Sequence, residues 1–145
     1  YDEPARPGVY ALNVDNGEYV WRAPAGKDVC NGRPGCNPGY SAAISVTEDY
    51  VLAGSNEGWL RAFDINDGQL LWEFDTTDAF TAVDGRTARG GSIGGGQAPL
   101  VVGDRLILNS GYAFAGKMPG NALLVLRLPP NQAQVAQKST ERAVK

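Results

Sequence analysis

A glycine-rich run at positions 89–96 holds the residues with the clearest capacity for chemistry. It reads Arg89-Gly90-Gly91-Ser92-Ile93-Gly94-Gly95-Gly96 and follows shortly after Arg86. Glycine lets a backbone approach a planar or anionic ligand closely, with the Ser92 hydroxyl and backbone N–H groups as donors. Arginine guanidinium groups suit carboxylate partners. The alternative is a lead-in loop whose glycines only let a crowded centre pack, and the two interpretations weigh evenly.

Common nucleotide-binding patterns do not describe this run. No helical pattern follows it, as a dinucleotide-binding loop would require, and no Gly-Lys-Ser/Thr sequence forms a P-loop. Tyr112 and Asn121 flank a long connection at 111–121. We interpret them as contacts at the rim of a site, with ordinary exposed loop residues as the alternative.

Two cysteines, Cys30 and Cys36, lie close together in a segment rich in Gly, Pro and Asn. We predict a disulfide that closes this small loop, which fits an oxidising compartment. A structural zinc site would need histidine or a second cysteine pair, and a redox dithiol would favour C-x-x-C spacing.

The composition excludes several other kinds of chemistry. The 145 residues contain no histidine, which removes Ser-His-Asp and Cys-His nucleophile systems and the C-x-x-C-H haem motif. Thirteen basic residues against 16 acidic ones give a formal net charge of −3, so we expect no nucleic-acid partner. The apolar runs are far shorter than the ~20 residues that cross a bilayer, so we expect no membrane span.

A first repeat aligns 9–21 with 60–72. Each copy has an alternating strand, a polar turn ending in Gly, and a second strand with a Trp in the fourth position after that Gly. The tryptophans are Trp21 and Trp72. Asn, Asp and Gly in such turns are strong hairpin signals, and the period of two predicts strands.

A second repeat is expected to align 50–54 with 106–110. Each copy is a pair of short strands joined by a polar turn. A third strand follows at 59–65 and at 122–128. The separation in sequence between the two copies is larger at this third strand than at the strand pair before it, because a longer loop is inserted in the second copy.

These repeats predict an all-β chain of nine strands. Residues 41–75 form a complete four-stranded antiparallel unit, 8–23 supply the last two strands of the unit before it, and 97–128 supply the first three strands of the unit after it. Repeated four-stranded units of this size indicate a β-propeller, with a β-sandwich or an open meander as alternatives. The polar segment 131–145 is predicted to be a tail or a short terminal helix.

Long connections are expected to share one face of such an arc. They span 24–40, 76–96 and 111–121, whereas the turns at the opposite ends of the strands are tight. Long loops without their own secondary structure are usually functional or disordered, so this face is the predicted ligand side.

The hairpin with its Gly-x-x-x-Trp pattern resembles the tryptophan docking motif of pyrroloquinoline quinone (PQQ) dehydrogenase propellers. Within them the chain looks most like the C-terminal part of polyvinyl alcohol dehydrogenase-like proteins, over residues 8–128. The segments that carry this likeness are 30–36, 41–43, 54–64, 89–92, 109–112 and 118–124. The resemblance predicts that Trp21 and Trp72 dock neighbouring blades.

The resemblance implies an eight-bladed propeller that binds PQQ, with Ca²⁺, and oxidises a small or polymeric alcohol by hydride transfer to the quinone. It also implies a periplasmic or secreted protein, and a cytochrome c as an electron acceptor. Arg86 and Arg89 would pair with the PQQ carboxylates. The other predicted cofactor contacts are Gly91, Ser92, Ile93, Tyr112 and Asn121. The metal ligands and the catalytic base do not match positions in this sequence.

Two classes of function stay open from the sequence. The chain is either part of a PQQ-dependent alcohol dehydrogenase or part of a non-catalytic propeller that acts as a scaffold or protein-interaction module. Nine strands cannot close a ring, so we expect the chain alone to be inactive and to need the remainder of a propeller or further copies of itself.

Overall fold

The computed structural model of the chain describes residues 4–26 and 29–127. The predicted tail at 131–145 and the end of the last predicted strand at Leu128 lie outside these residues. Within the described part, the chain consists of β-strands and one short 3₁₀ turn, Phe114–Gly116. No helix in that part is long and apolar enough to span a bilayer.

Eleven strands form four antiparallel sheets in the described residues. We call β1–β2 the first hairpin, β3–β6 the central blade, β7–β8 the side hairpin and β9–β11 the last blade. The strands are β1 (Gly8–Leu12), β2 (Tyr19–Pro24), β3 (Ser45–Val46), β4 (Tyr50–Gly54), β5 (Trp59–Asp64), β6 (Leu70–Asp75), β7 (Ala79–Thr81), β8 (Thr87–Arg89), β9 (Leu100–Val102), β10 (Arg105–Ser110) and β11 (Ala122–Arg127). This architecture confirms the all-β class and the arc of a propeller.

The side hairpin corrects the predicted count of nine strands. Ala79–Thr81 pairs with Thr87–Arg89 inside the connection 76–96, where the repeats predict no strand. Its turn contains Gly85 at φ +80°, and the Ala82 N–H donates to the Arg86 carbonyl over 2.8 Å. An Asp-Gly pair between alternating residues is a hairpin signal, so this element could have been predicted.

The first repeat, which aligns 9–21 with 60–72, is confirmed in the backbone. Ala11 pairs with Trp21 in the first hairpin, as Ala62 pairs with Trp72 in the central blade. A β-bulge follows directly after each of these pairs. Because a bulge changes the local twist, the two hairpins share geometry as well as sequence pattern.

The second repeat, which aligns 50–54 with 106–110, is wrong by one position. Gly54 pairs with Leu60 in the central blade, and the equivalent pair in the last blade is Asn109 with Leu123. The correct alignment therefore places 50–54 on 105–109. The error arises because both turns are polar and both strands are largely apolar. A slip of one position moves every side chain to the opposite face, so the correction decides which face of the last blade is buried.

The central blade is covered on both faces. Leu52, Leu60 and Ala62 pack against the last blade, in a cluster that includes Leu106 and Leu108. The alternate residues of the same strands pack against the first hairpin. They are Val51, Ala53 and Phe63, in contact with Val9, Trp21 and Ala23. Burial on both faces explains why β4 reads as a continuous apolar run.

Trp21 joins the first hairpin to the central blade. Its side chain is 7% exposed, and its indole N–H donates to the Ile65 carbonyl over 2.8 Å. The ring lies against Gly68, where an added Cβ would be 2.5 Å from a ring carbon. Trp72, in β6, is half-buried and stacks on Phe74 with ring centroids 6.0 Å apart.

A pair of glycine substitutions separates this contact from backbone strain. Gly17 and Gly68 hold equivalent turn positions at φ +72° and +73°, but only Gly68 touches a side chain. We expect Gly17→Ala to cost about 1 kcal/mol of unfolding free energy through strain alone. Gly68→Ala should cost about 1–3 kcal/mol more, because its methyl group meets Trp21. Chemical denaturation of both variants measures the difference, and equal losses would contradict the docking contact.

Candidate functional site

The long connections meet on one side of the arc. Met118, in the 111–121 loop, exchanges hydrogen bonds with Ser92, and Gly35 of the first long loop packs against Gly116. The three loops therefore form one continuous surface, as their lengths and positions predict. We call this surface the loop cluster, with its members at 29–40, 89–96 and 111–121.

Ser92 lies at the centre of the loop cluster and has no exposed surface. Its N–H donates to the Met118 carbonyl over 3.0 Å, and its own carbonyl accepts from the N–H groups of Gly111 and Tyr112. The hydroxyl donates to the Asn56 carbonyl and accepts from the Met118 N–H over 3.0 Å. These bonds tie separate segments of the chain together, and the hydroxyl is used within the protein.

The glycines of the run make their closest approaches to the protein itself. An added Cβ would lie 1.5 Å from the Thr76 carbonyl oxygen at Gly90, and 2.4 Å from the Pro119 carbonyl oxygen at Gly91. At Gly94 it would lie 2.3 Å from the Tyr112 ring. This geometry favours the packing interpretation of these glycines.

Two buried hydroxyl groups, those of Ser110 and Thr76, lie against the glycine run. The Ser110 hydroxyl accepts from the Gly91 N–H over 2.9 Å and lies 2.7 Å from the Thr76 hydroxyl. Thr76 also donates to the Gly58 carbonyl over 2.7 Å. Neither hydroxyl residue was among those predicted from the sequence. Ser110 is equivalent to Ser55 in the alignment that strand pairing gives, so the sequence alone offered no signal for it.

The two predicted arginines occupy different parts of the side hairpin. Arg86 is at its tip, where the guanidinium forms an ion pair with Asp84 at 2.6 Å and stays exposed. Arg89 ends β8, and its backbone N–H donates to the Asn121 side-chain oxygen over 2.9 Å. Arg86 therefore lies away from the glycine run, whereas Arg89 is the first residue of the run and Asn121 is bonded to it.

Tyr112 and Asn121 line an open groove of about 560 Å³ beside the run. Its other walls are formed by 94–97, 109–111, 120 and 122–123, and it opens along the last blade. Ile93 lies outside this groove, buried over Gly54. Of the predicted cofactor contacts, Tyr112 and Asn121 alone line this groove, and all the predicted cofactor contacts stay predictions.

The Ca²⁺ implied by the resemblance finds no ligand set in the described residues. No three His, Cys, Asp or Glu side chains within 4–26 and 29–127 come together as metal ligands do. Oxygen-rich coordination of Ca²⁺ needs about six to eight ligands.

Cys30 and Cys36 form the predicted disulfide, with Cα atoms 5.5 Å apart. The closed loop brings Gly35, at φ +77°, against the backbone of 116–118. Arg33 reaches the same segment, with its guanidinium 3.9 Å from the Met118 sulfur. The disulfide thus stabilises one wall of the loop cluster.

A buried charged cluster anchors the first long loop. Arg61 pairs with Glu57 at 2.5 Å and with Glu73 at 3.1 Å, and it donates to the Tyr40 hydroxyl over 3.0 Å. Arg61 and Glu57 are only 7% and 3% exposed. Burial raises the pKa of Tyr40, and attraction to Arg61 opposes this rise. Burial lowers the pKa of Arg61, but Tyr40 and Glu57 outweigh burial and leave that pKa raised.

Fold and loop cluster together define the chain as an arc of a β-propeller whose long loops share one face. A family model described as outer membrane protein assembly factor BamB, the PQQ_2 family, matches residues 5–126. The chain belongs to this family.

Two curated relatives are named polyvinylalcohol dehydrogenase. One from Pseudomonas sp. is 40% identical over 119 residues, which is 81% of this chain and 18% of the relative. One from Sphingopyxis sp. (strain 113P3) is 38% identical over 112 residues, which is 74% of this chain and 17% of the relative. The chain therefore spans less than one fifth of the length of these relatives. These similarities confirm the resemblance to PQQ-dependent dehydrogenase propellers.

Two glycines of the run distinguish packing from ligand contact. Gly94 meets the Tyr112 ring, whereas nothing lies within 4 Å of a Cβ added at Gly96. We expect Gly94→Ala to cost about 1–3 kcal/mol of unfolding free energy and Gly96→Ala less than about 0.5 kcal/mol. Thermal and denaturant unfolding measure both. Equal effects of the two variants would contradict the role of Gly94 as a packing residue.

The buried Tyr40 makes stability sensitive to high pH. In the folded protein the pKa of Tyr40 is above the ordinary 10.0. Its contribution to the unfolding free energy is therefore complete below pH 10.0 and is lost as the pH rises through the folded pKa. We expect Tyr40→Phe to reduce the alkaline loss of unfolding free energy. At neutral pH it should cost about 1–2 kcal/mol, because Arg61 loses an acceptor.

Denaturant titrations from neutral pH to about pH 11 test this. Tyr50→Phe is the control for the cost at neutral pH, since no bond to Arg61 is involved. Burial and Asp49 raise the pKa of Tyr50 as well, so this variant should also reduce the alkaline loss. Parallel curves for the native chain and Tyr40→Phe above about pH 10 would show that Tyr40 is not responsible.

Proposed function

We propose that the chain is an arc of a PQQ-dependent alcohol dehydrogenase similar to polyvinyl alcohol dehydrogenases. The observation that carries this proposal is 40% identity over 119 residues to a protein of that name. Family membership and the Trp21 docking contact support a propeller framework. The substrate is an alcohol, small or polymeric, which gives its hydride to the quinone.

In this proposal the quinone supplies the redox chemistry, and the chain supplies structure around it. Ser92 and Ser110 hold the glycine run against the 111–121 loop. Tyr112 and Asn121 present an aromatic ring and an amide at the groove beside the run. Arg89, at the end of β8, would supply the cation that pairs with a carboxylate of the quinone.

The remaining parts of the active site would come from other blades. The described residues hold no acidic cluster for Ca²⁺, so its ligands and the catalytic base are assigned to the rest of a longer protein. We further propose a periplasmic or secreted location, which the Cys30–Cys36 disulfide supports, because disulfides persist in oxidising compartments. A cytochrome c would accept the electrons.

A second candidate is a non-catalytic propeller that serves as a scaffold or interaction module. The description of the matching family model, an assembly factor, favours it. The filled positions at Gly90, Gly91 and Gly94 also favour it, since those glycines serve packing.

Cofactor loading of a longer protein that contains this chain distinguishes the two candidates. The apoprotein is mixed with PQQ and Ca²⁺, and PQQ binding is followed by calorimetry. Dye reduction is then measured with ethanol and with polyvinyl alcohol as separate substrates. We expect binding and alcohol-dependent reduction, and we expect the chain of 145 residues by itself to reduce no dye.

A matched pair of variants tests the part played by this arc. Asn121→Ala should weaken PQQ binding or activity, while Asn16→Ala, in an exposed turn of the first hairpin, should leave both unchanged. If the loaded protein neither binds PQQ nor reduces dye with any alcohol, the dehydrogenase proposal is wrong and the scaffold remains.

A further inference from the structure

Phe114 is an exposed aromatic residue in the loop cluster, on the side of the arc where the long connections meet. It is 71% exposed and lies at the tip of the 111–121 loop, in the 3₁₀ turn Phe114–Gly116. The centroid of its ring is 5.9 Å from that of Tyr112, and the two ring planes meet at 40°. We call these two rings the aromatic pair.

The aromatic pair connects the exposed tip of the loop to the glycine run. Tyr112 packs on Gly94, where an added Cβ would be 2.3 Å from the ring, and it lines the groove beside the run. The Tyr112 hydroxyl has no hydrogen-bond partner among the described residues, so it is available to a ligand. A ligand that lies along both rings therefore extends from solvent to the candidate site.

The turn that carries Phe114 is held in place by its surroundings. The Lys117 N–H donates to the Phe114 carbonyl over 3.2 Å. Gly35 of the disulfide loop packs against the Gly116 carbonyl. Ala115 has a φ of +53°, a costly backbone conformation for a residue with a side chain, and such strain is concentrated at functional sites.

These features distinguish Phe114 from an ordinary surface residue. Single exposed apolar side chains are common in folded proteins and need no explanation. Phe114 is exposed on a fixed and strained turn, beside a second ring that borders the candidate site. Because a preorganised contact loses little conformational freedom when a ligand binds, this arrangement favours a binding surface.

The alcohols considered above differ in what they gain from the aromatic pair. A small alcohol cannot lie on both rings while its hydroxyl carbon reacts. Polyvinyl alcohol alternates CH₂ groups, which pack on aromatic faces, with CHOH groups, which exchange hydrogen bonds with a phenol. Binding energy from units remote from the reacting carbon can be used to hold that carbon in position.

We propose that Phe114 and Tyr112 bind successive units of a polymeric alcohol, and that Phe114 favours the polymer over a small alcohol. The proposal rests on the proposed function for the choice of ligand and on the aromatic pair for its place. Phe114 is a specificity residue, since it contacts units of the polymer that do not react.

Polymer binding to the apoprotein tests this proposal without PQQ. A longer protein that contains this chain is titrated with polyvinyl alcohol in a calorimeter. Phe114→Ala should weaken polymer binding severalfold, whereas Phe114→Tyr, which keeps a ring, should retain it. Tyr19→Ala is the matched control and should leave binding unchanged, because Tyr19 is 49% exposed and lies beside the tight turn of the first hairpin.

The variants also separate loss of the contact from loss of folding. Because Phe114 is exposed, we expect Phe114→Ala to keep the unfolding midpoint of the native protein. Equal polymer binding by the native protein and Phe114→Ala would overturn the proposal, as would a native protein that binds no polymer. The same loss of binding in Phe114→Tyr as in Phe114→Ala would show that the ring is not the contact.

Kinetics of the loaded protein separate this proposal from the proposed function. With PQQ and Ca²⁺ bound, Phe114→Ala should raise the KM for polyvinyl alcohol severalfold more than the KM for ethanol. Equal increases would overturn the specificity role of Phe114. If the native protein binds the polymer through Phe114 but reduces no dye with either alcohol, the dehydrogenase proposal is wrong and the polymer-binding surface stands.

Discussion

Each blade of this chain has apolar side chains on both faces, so every blade depends on a neighbour on each side. Only the central blade has both neighbours among the described residues, and it contains fully buried Leu52 and Leu60. The first hairpin and the last blade each have one neighbour there. Because hydrophobic burial is the main favourable term in folding, the stability of this chain is a property of the joints between sheets.

Polar groups in the loop cluster depend on neighbouring segments in the same way as the apolar faces of the blades. Ser92 and Ser110 satisfy backbone donors and acceptors from several loops in a region with almost no solvent contact. Buried polar groups are costly when unpaired, so these loops hold one arrangement only when all of them are in place. The glycine run is where they cross, and its lack of side chains permits that crossing. The groove beside it is bounded on one side by the close contact between Gly94 and the Tyr112 ring.

Local signals in the sequence were sufficient for the hairpins, the Cys30–Cys36 disulfide and the arc of a propeller. The exact register was not predictable, because 51–53 and 106–108 are apolar at every position, and Leu52 aligns as well with Leu108 as with Ile107. The register was resolved by the strand pairing seen in the structure.

The role of the glycines was open for a different reason. Glycine permits close approach, but the sequence does not indicate whether a ligand or a neighbouring loop approaches. The side hairpin, in contrast, was predictable from its Asp84-Gly85 turn, which is the same kind of signal that identified the other hairpins.

The charged cluster around Arg61 distinguishes the central blade from its neighbours. In the first hairpin the equivalent position is Tyr10, and in the last blade it is Leu124, so among the described blades the central one carries the cation at this position. Arg61 and Glu57 lie in one hairpin, so their ion pair forms within the central blade whichever sheets lie beside it. Tyr40, from the connection before the blade, is the partner that comes from outside. Removing one member of a buried ion pair is strongly unfavourable, because the other charge is left uncompensated. A substitution at Arg61 would therefore destabilise the hairpin of the blade and release the loop that Tyr40 holds in place.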